Sequence, residues 1–248
     1  MVRLLVINPN TSPHVSASID AMVKEEAGRA PTAHTRTANF GVHYIPSRSA
    51  RATAGHAVLD AAAGAIASGA NPDAIILGCF GDPGLEALQE MTGVPVIGFA
   101  EAGLNAAAAL DGPFLVATRG QVWREMLQDL VRKLNLQDRV SGIHSINEEN
   151  DVGAIAQSLA ADAQEHGAKR IVVGGAGLIP ILPGIAKACT LPILDPHRAA
   201  VRKAIRMAQD AQRMTATRFR ERTKGLSEPL SRVFSDPELA LPLAGNTH

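Results

Sequence analysis

Ala74-Ile75-Ile76-Leu77-Gly78-Cys79-Phe80-Gly81 lines up with Arg170-Ile171-Val172-Val173-Gly174-Gly175-Ala176-Gly177, and this pair of octapeptides decides the fold. Each opens with a short, mostly aliphatic run and closes on a glycine-rich stretch. That is the signature of a buried strand ending in a tight turn. The correspondence extends outward. Val94-Pro95-Val96-Ile97 matches Leu191-Pro192-Ile193-Leu194 after a one-residue gap, and Leu5-Val6-Ile7-Asn8 resembles Leu115-Val116-Ala117-Thr118. A repeat of this length implies two similar structural units.

The runs Leu4 to Ile7, Ala74 to Leu77, Val94 to Ile97, Phe114 to Ala117, Arg170 to Val173 and Leu191 to Leu194 read as strands. Ser49 to Ser68, Gln121 to Leu134, Asp151 to His166 and Pro196 to Thr217 read as helices. Alternating short strands and longer helices give βαβ units and parallel sheets. The expected fold is therefore α/β, with two pseudo-symmetric parallel-sheet halves and the active site in the cleft between them. Residues 1–98 form the first half and 99–199 the second. A helix at about 200–218 is expected to pack back on the first half, and residues 223–248 to form a loosely held tail.

Composition narrows the function classes. With 248 residues, 46% of them hydrophobic, the chain can bury a substantial core. Lys plus Arg and Asp plus Glu are 24 each, so there is no net charge to favour nucleic acid, and one Trp and one Tyr leave little to stack on bases. No apolar run approaches the roughly 18 residues of a membrane span, and the first residues do not read as a signal peptide. Two cysteines, Cys79 and Cys189, make no disulfide framework, and a cytoplasmic location is expected. The anticipated partner is a small-molecule substrate, with neither nucleic acid nor membrane. A homo-oligomer is expected, the basic residues Arg198, Arg202, Lys203 and Arg206 forming a solvated or subunit-facing surface.

In open parallel sheets, ligands sit beyond the carboxyl ends of the strands. Here those ends are Asn8-Pro9-Asn10-Thr11-Ser12, Cys79-Phe80-Gly81-Asp82, Thr118-Arg119 and Gly175-Ala176-Gly177. Cys79 stands out, because a thiol between a buried strand and an expected helix start gains from nearby amides, which favours the thiolate. A free cysteine is as often a small buried hydrophobe, and on these grounds the two readings are even. Cys189, at a helix end before a strand, reads as structural. Asn8 to Ser12 and Thr118 can hold an anion or amide, or simply make a turn with a helix cap. The histidines, among them His43, His56 and His197, show no metal spacing and read as surface or capping residues. Neither glycine cluster is a dinucleotide fingerprint, which leaves nucleotide binding as a weak alternative.

Four motifs together resemble the Asp/Glu/hydantoin racemase superfamily. They are Asn8-Pro9-Asn10-Thr11-Ser12, Gly78-Cys79-Phe80-Gly81-Asp82-Pro83-Gly84, Pro95-Val96-Ile97-Gly98-Phe99-Ala100-Glu101-Ala102 and Gly174-Gly175-Ala176-Gly177-Leu178. The Cys-Phe-Gly-Asp-Pro-Gly run is similar to the hydantoin and allantoin racemase branch, and the likeness covers about residues 1–215. It implies a thiol from each half, on opposite faces of the substrate carbon, with no metal or cofactor. Cys79 matches the first thiol. Asn8, Asn10, Thr11 and Thr118 match the polar groups that hold the substrate's carboxylate or ring carbonyl, and the amides around Phe80, Gly81, Ala176 and Gly177 would stabilise an enolate. Gly175 stands where the resemblance calls for the second thiol, and Arg119 where it calls for a Thr. Related arylmalonate decarboxylases also keep one thiol, in the mirror arrangement. The resemblance thus implies a cofactor-independent racemase or isomerase acting on a small cyclic amide or amino-acid derivative. A single-thiol malonate decarboxylase and a non-catalytic binding homologue are the alternatives.

Overall fold

A computed structural model describes residues 1–146, 151–210 and 220–236. Two four-stranded parallel sheets organise it. The first contains β1 (Arg3–Asn8), β2 (Thr32–Thr37), β3 (Ala74–Leu77) and β4 (Val96–Gly98) in the order β2-β1-β3-β4. The second contains β5 (Phe114–Arg119), β6 (Val140–Ile146), β7 (Arg170–Val173) and β8 (Ile193–Leu194) in the order β6-β5-β7-β8. The strand order is the same in both, so the repeat in the sequence is a repeat in topology.

The edge strands β2 and β6 are absent from the sequence reading, and their surroundings say why. Thr32-Ala33-His34-Thr35-Arg36-Thr37 alternates between exposed and half-buried positions, and β6 is half-buried along most of its length. An edge strand held by backbone pairing needs no aliphatic run. The runs read at Val94 to Ile97 and Leu191 to Leu194 yield the shorter strands β4 and β8, because each starts only after its proline.

Side chains alternate faces along the central strands. Leu4, Val6 and Ile76 of the first sheet join Phe114, Val116 and Val172 of the second in one buried cluster. Leu5, Ile7, Ile75 and Leu77 instead face α2 (Arg48–Ala67) and α3 (Leu85–Thr92), while Leu115, Ala117, Ile171 and Val173 face α6 (Val152–Glu165) and α7 (Leu182–Ala188). The shared cluster also holds residues of α1 (Pro13–Ala27), α4 (Phe99–Ala108), α5 (Gln121–Lys133) and α8 (Pro196–Gln209), which join the halves through one core.

The helix α8 packs on α1, α4, β3 and β4. Three of its basic residues are paired within the chain: Arg198 with Glu25 and Glu26, Arg202 with Glu26, and Lys203 with Glu101. The expected continuation of this helix to Thr217 lies outside the described residues, as does 237–248 of the expected tail. The described start of that tail is not loose. Residues Glu228–Ser235 form α9, capped by the Ser227 side chain and packed on α2, with Leu230 buried against the outer face of the first sheet. Among the described residues, no helix is long and apolar enough to cross a membrane.

Candidate active site

The carboxyl ends of β1, β3, β5 and β7 meet at a pocket of about 220 Å³ between the halves. Cys79 lies one residue beyond Gly78, which follows β3, in a tight turn where its N–H donates to Leu77 and its carbonyl accepts from the Asp82 N–H. The side chain is 8% exposed and faces the pocket. Gly175, which also lines the pocket, follows β7 at the equivalent place in the second half and leads into a single helical turn, Ala176–Leu178.

Gly175 is distinguished by its backbone. Its φ of +134° lies in a region that residues with a Cβ rarely adopt. A side chain there would have space, since its first carbon would come no nearer than 3.6 Å to Leu178 and 3.9 Å to the Thr118 hydroxyl. The backbone, rather than crowding, disfavours other residues.

Of the residues singled out from sequence, Asn10, Cys79, Phe80, Thr118, Gly175, Ala176 and Gly177 line the pocket. Asn8, Thr11 and Gly81 do not. Asn8 is fully buried behind the wall, and its amide donates to the Asn10 side chain, to the Ser12 carbonyl and to the Ser16 hydroxyl, so it positions Asn10. The Thr11 N–H donates to the Val42 carbonyl and ties down the loop that carries Tyr44. Gly81 packs under the Trp123 ring, and its carbonyl accepts from Arg51 Nε at 3.0 Å.

Val15, Tyr44, Ile45 and Trp123 also line the wall and belong to none of the sequence motifs. Composition held a signal for two of them. The chain has one Tyr and one Trp, and both are here. Tyr44 is 54% exposed, yet partial desolvation on its protein side raises the phenol above its ordinary value, opposed by the Trp123 N–H and the Arg119 charge.

The thiol environment departs from expectation. Burial pushes Cys79 up, the Asp82 charge adds to this, and Arg51 opposes it. The resting group is therefore a neutral thiol. Its neighbouring helix, α3, begins only at Leu85, too far along the chain for its dipole to dominate. Asp82 is itself buried, and burial raises it to about 7, despite hydrogen bonds from the N–H groups of Ala100 and Glu101 at the start of α4. Gly98 makes room for this carboxyl, since a Cβ there would fall 2.1 Å from it.

Other sequence candidates lie elsewhere. Cys189 sits at the end of α7, at the edge of the outer core. His197, read as a surface or capping residue, is fully buried, because α8 begins inside the shared core; its Nδ1 lies 2.8 Å from Asp195. Among the described residues, Asp162, Glu165 and His166 bring ligand atoms within 4.8 Å of one another, at the end of α6 and away from the pocket. The described pocket wall offers one residue of metal-ligating type, Cys79.

Comparison with known proteins agrees with this architecture. Residues 4–204 match the family described as Asp/Glu/hydantoin racemase. Hydantoin racemases from Paenarthrobacter aurescens and from Pseudomonas sp. (strain NS671) are each 28% identical over 212 residues. That is 82% of this chain and 89% and 84% of theirs. The solved structure of allantoin racemase from Klebsiella pneumoniae superposes with a TM-score of 0.82 at 24% identity, covering 94% of this chain and 99% of that one. This chain belongs to the Asp/Glu/hydantoin racemase family of isomerases.

Proposed function

We propose that this protein moves a proton at an activated carbon of a small cyclic amide or amino-acid derivative, without a cofactor, using Cys79 as its acid/base group. One observation carries the reading. Cys79 is buried just beyond the end of β3 and lines a pocket whose wall also includes the equivalent strand end of the second half, Gly175–Gly177. The likeness to hydantoin racemases supports the substrate class.

The chemistry follows from the wall. A carbon flanked by carbonyls loses its proton when donors stabilise the enolate. The Asn10 amide and the Thr118 hydroxyl are placed to hold a carbonyl, with Asn8 fixing Asn10 from behind. A neutral Cys79 gives a proton readily but takes one only after losing its own, so proton removal is the pH-sensitive half of the cycle. The same sulfur then returns the proton to the face it left, which gives exchange with solvent. Inversion requires a second donor, water or a side chain, on the Gly175 side.

Incubation in D2O with hydantoins, allantoin, amino acids and arylmalonates tests this, with deuterium incorporation, optical rotation and CO2 followed together. Deuterium should enter at the activated carbon of one of the first three classes and be lost in Cys79→Ala. Wild-type exchange in that variant would overturn the reading. CO2 release from an arylmalonate, without exchange elsewhere, would replace it with a single-thiol decarboxylase, and binding without turnover with a binding homologue.

A further inference from the structure

We infer that the substrate carries a carboxylate, and that Arg119 reads it. Among the described residues of the pocket wall, Arg119 is the one charged side chain, and no Asp or Glu faces it there. Its Nε is buried and has no hydrogen-bond partner among the described residues. The neighbouring walls are apolar or neutral, made by Ile45, Phe80, Trp123 and Leu178 with Asn10 and Thr118. Arg119 is half-buried, but a buried N–H left without an acceptor is costly, and an anion in the pocket would meet it. The partner the pocket lacks is the one a ligand would bring. A guanidinium is planar, and its fork of N–H groups matches a carboxylate with two parallel bonds, which a lysine could not supply.

Position makes this a specificity device. Arg119 ends β5, next to Thr118, whose hydroxyl points toward the space beside Gly175. The anion would therefore rest on the second-half side, leaving the activated carbon toward Cys79. A cavity of about 220 Å³ has space for a five-membered ring with a short acidic arm. The substrate class is thus an anionic carbon acid in preference to a neutral ring.

The catalytic meaning rests on the proposed role of Cys79, but the binding does not, and the test separates them. Hydantoin-5-acetic acid and its neutral amide are titrated calorimetrically into wild-type protein, Cys79→Ala, Arg119→Thr and Arg119→Lys. The acid should bind more tightly than the amide to wild type and to Cys79→Ala alike. Arg119→Thr should reduce the acid-to-amide affinity ratio by about tenfold or more, the usual weight of a hydrogen-bonded charge, and Arg119→Lys should fall between. Equal binding of acid and amide to wild type would overturn the proposal even if Arg119→Thr does not fold. So would an unchanged ratio in Arg119→Thr. If Cys79→Ala binds the acid normally yet still exchanges deuterium, the thiol reading fails and the Arg119 assignment stands.

Discussion

The ring of Phe80 lies against the α-carbon of Gly174, so closely that a Cβ on Gly174 would fall 2.3 Å from three ring atoms. Phe80 directly follows Cys79 in the first half and Gly174 directly precedes Gly175 in the second. This contact therefore sets the width of the pocket, and it explains why a glycine must precede residue 175. Gly174→Ala should push the halves apart. Overpacking of this kind costs about 1–3 kcal/mol. Urea unfolding should show a lower midpoint with an unchanged slope, and deuterium exchange on the substrate should slow. A midpoint equal to wild type would mean that the ring moves aside freely.

The raised thiol and the Asp82 charge make a pH prediction. Because the folded Cys79 holds its proton above the ordinary thiol range, the thiolate fraction at neutral pH is small and grows about tenfold per pH unit. Alkylation of Cys79 by iodoacetamide should rise across pH 7 to 9 without levelling off. Asp82→Asn should move that profile to lower pH, since a negative neighbour is removed. An identical profile in the variant would show that Asp82 does not act on the sulfur.

Asp82 also sets a stability slope. Folded, it keeps its proton up to about 7, whereas an unfolded aspartate loses it near the ordinary carboxylate value of 3.8. Between those values the folded chain binds more protons, so stability falls as pH rises through the window. Denaturation midpoints measured from pH 4 to 7 should decline in wild type and flatten in Asp82→Asn. A wild-type midpoint that rises over this range would contradict the assignment.

Gly175→Cys would add a second thiol to the pocket wall beside that of Cys79. There is space for it, but a residue with a Cβ at φ +134° costs on the order of 1–3 kcal/mol. The variant should be less stable, and optical rotation should show more racemisation per deuterium exchanged. Lower stability with no change in that ratio would mean that residue 175 does not face Cys79 across the substrate.

Leu230 tests the early tail. It is 1% exposed and buried against the first sheet's outer core. Leu230→Ala should destabilise by about 2–5 kcal/mol, readable in urea unfolding. A change within about 0.5 kcal/mol, as expected of a surface position, would mean that α9 is only loosely attached.

The repeat, the parallel sheets and Cys79 at a strand end were all legible along the chain, because buried central strands need continuous aliphatic runs and their turns need glycine. Nothing local marked β2 or β6, whose backbone pairing is indifferent to side chain. Asn8, Asn10 and Thr11 looked alike as neighbours in one loop, and only the folded loop shows Asn10 on the wall with Asn8 behind it. Tyr44 and Trp123 reach the pocket from separate elements in opposite halves, which no spacing encodes. The sign of the thiol's shift was likewise a tertiary property. A helix start was readable near Cys79, but the depth of burial and the Asp82 carboxyl that together outweigh it depend on the fold. At position 175 the sequence determined that the residue matching Cys79 in the repeat is a glycine. The tertiary structure decided that the backbone there has taken a conformation suited to glycine, because φ is set by the turn between β7 and the helical turn that follows it.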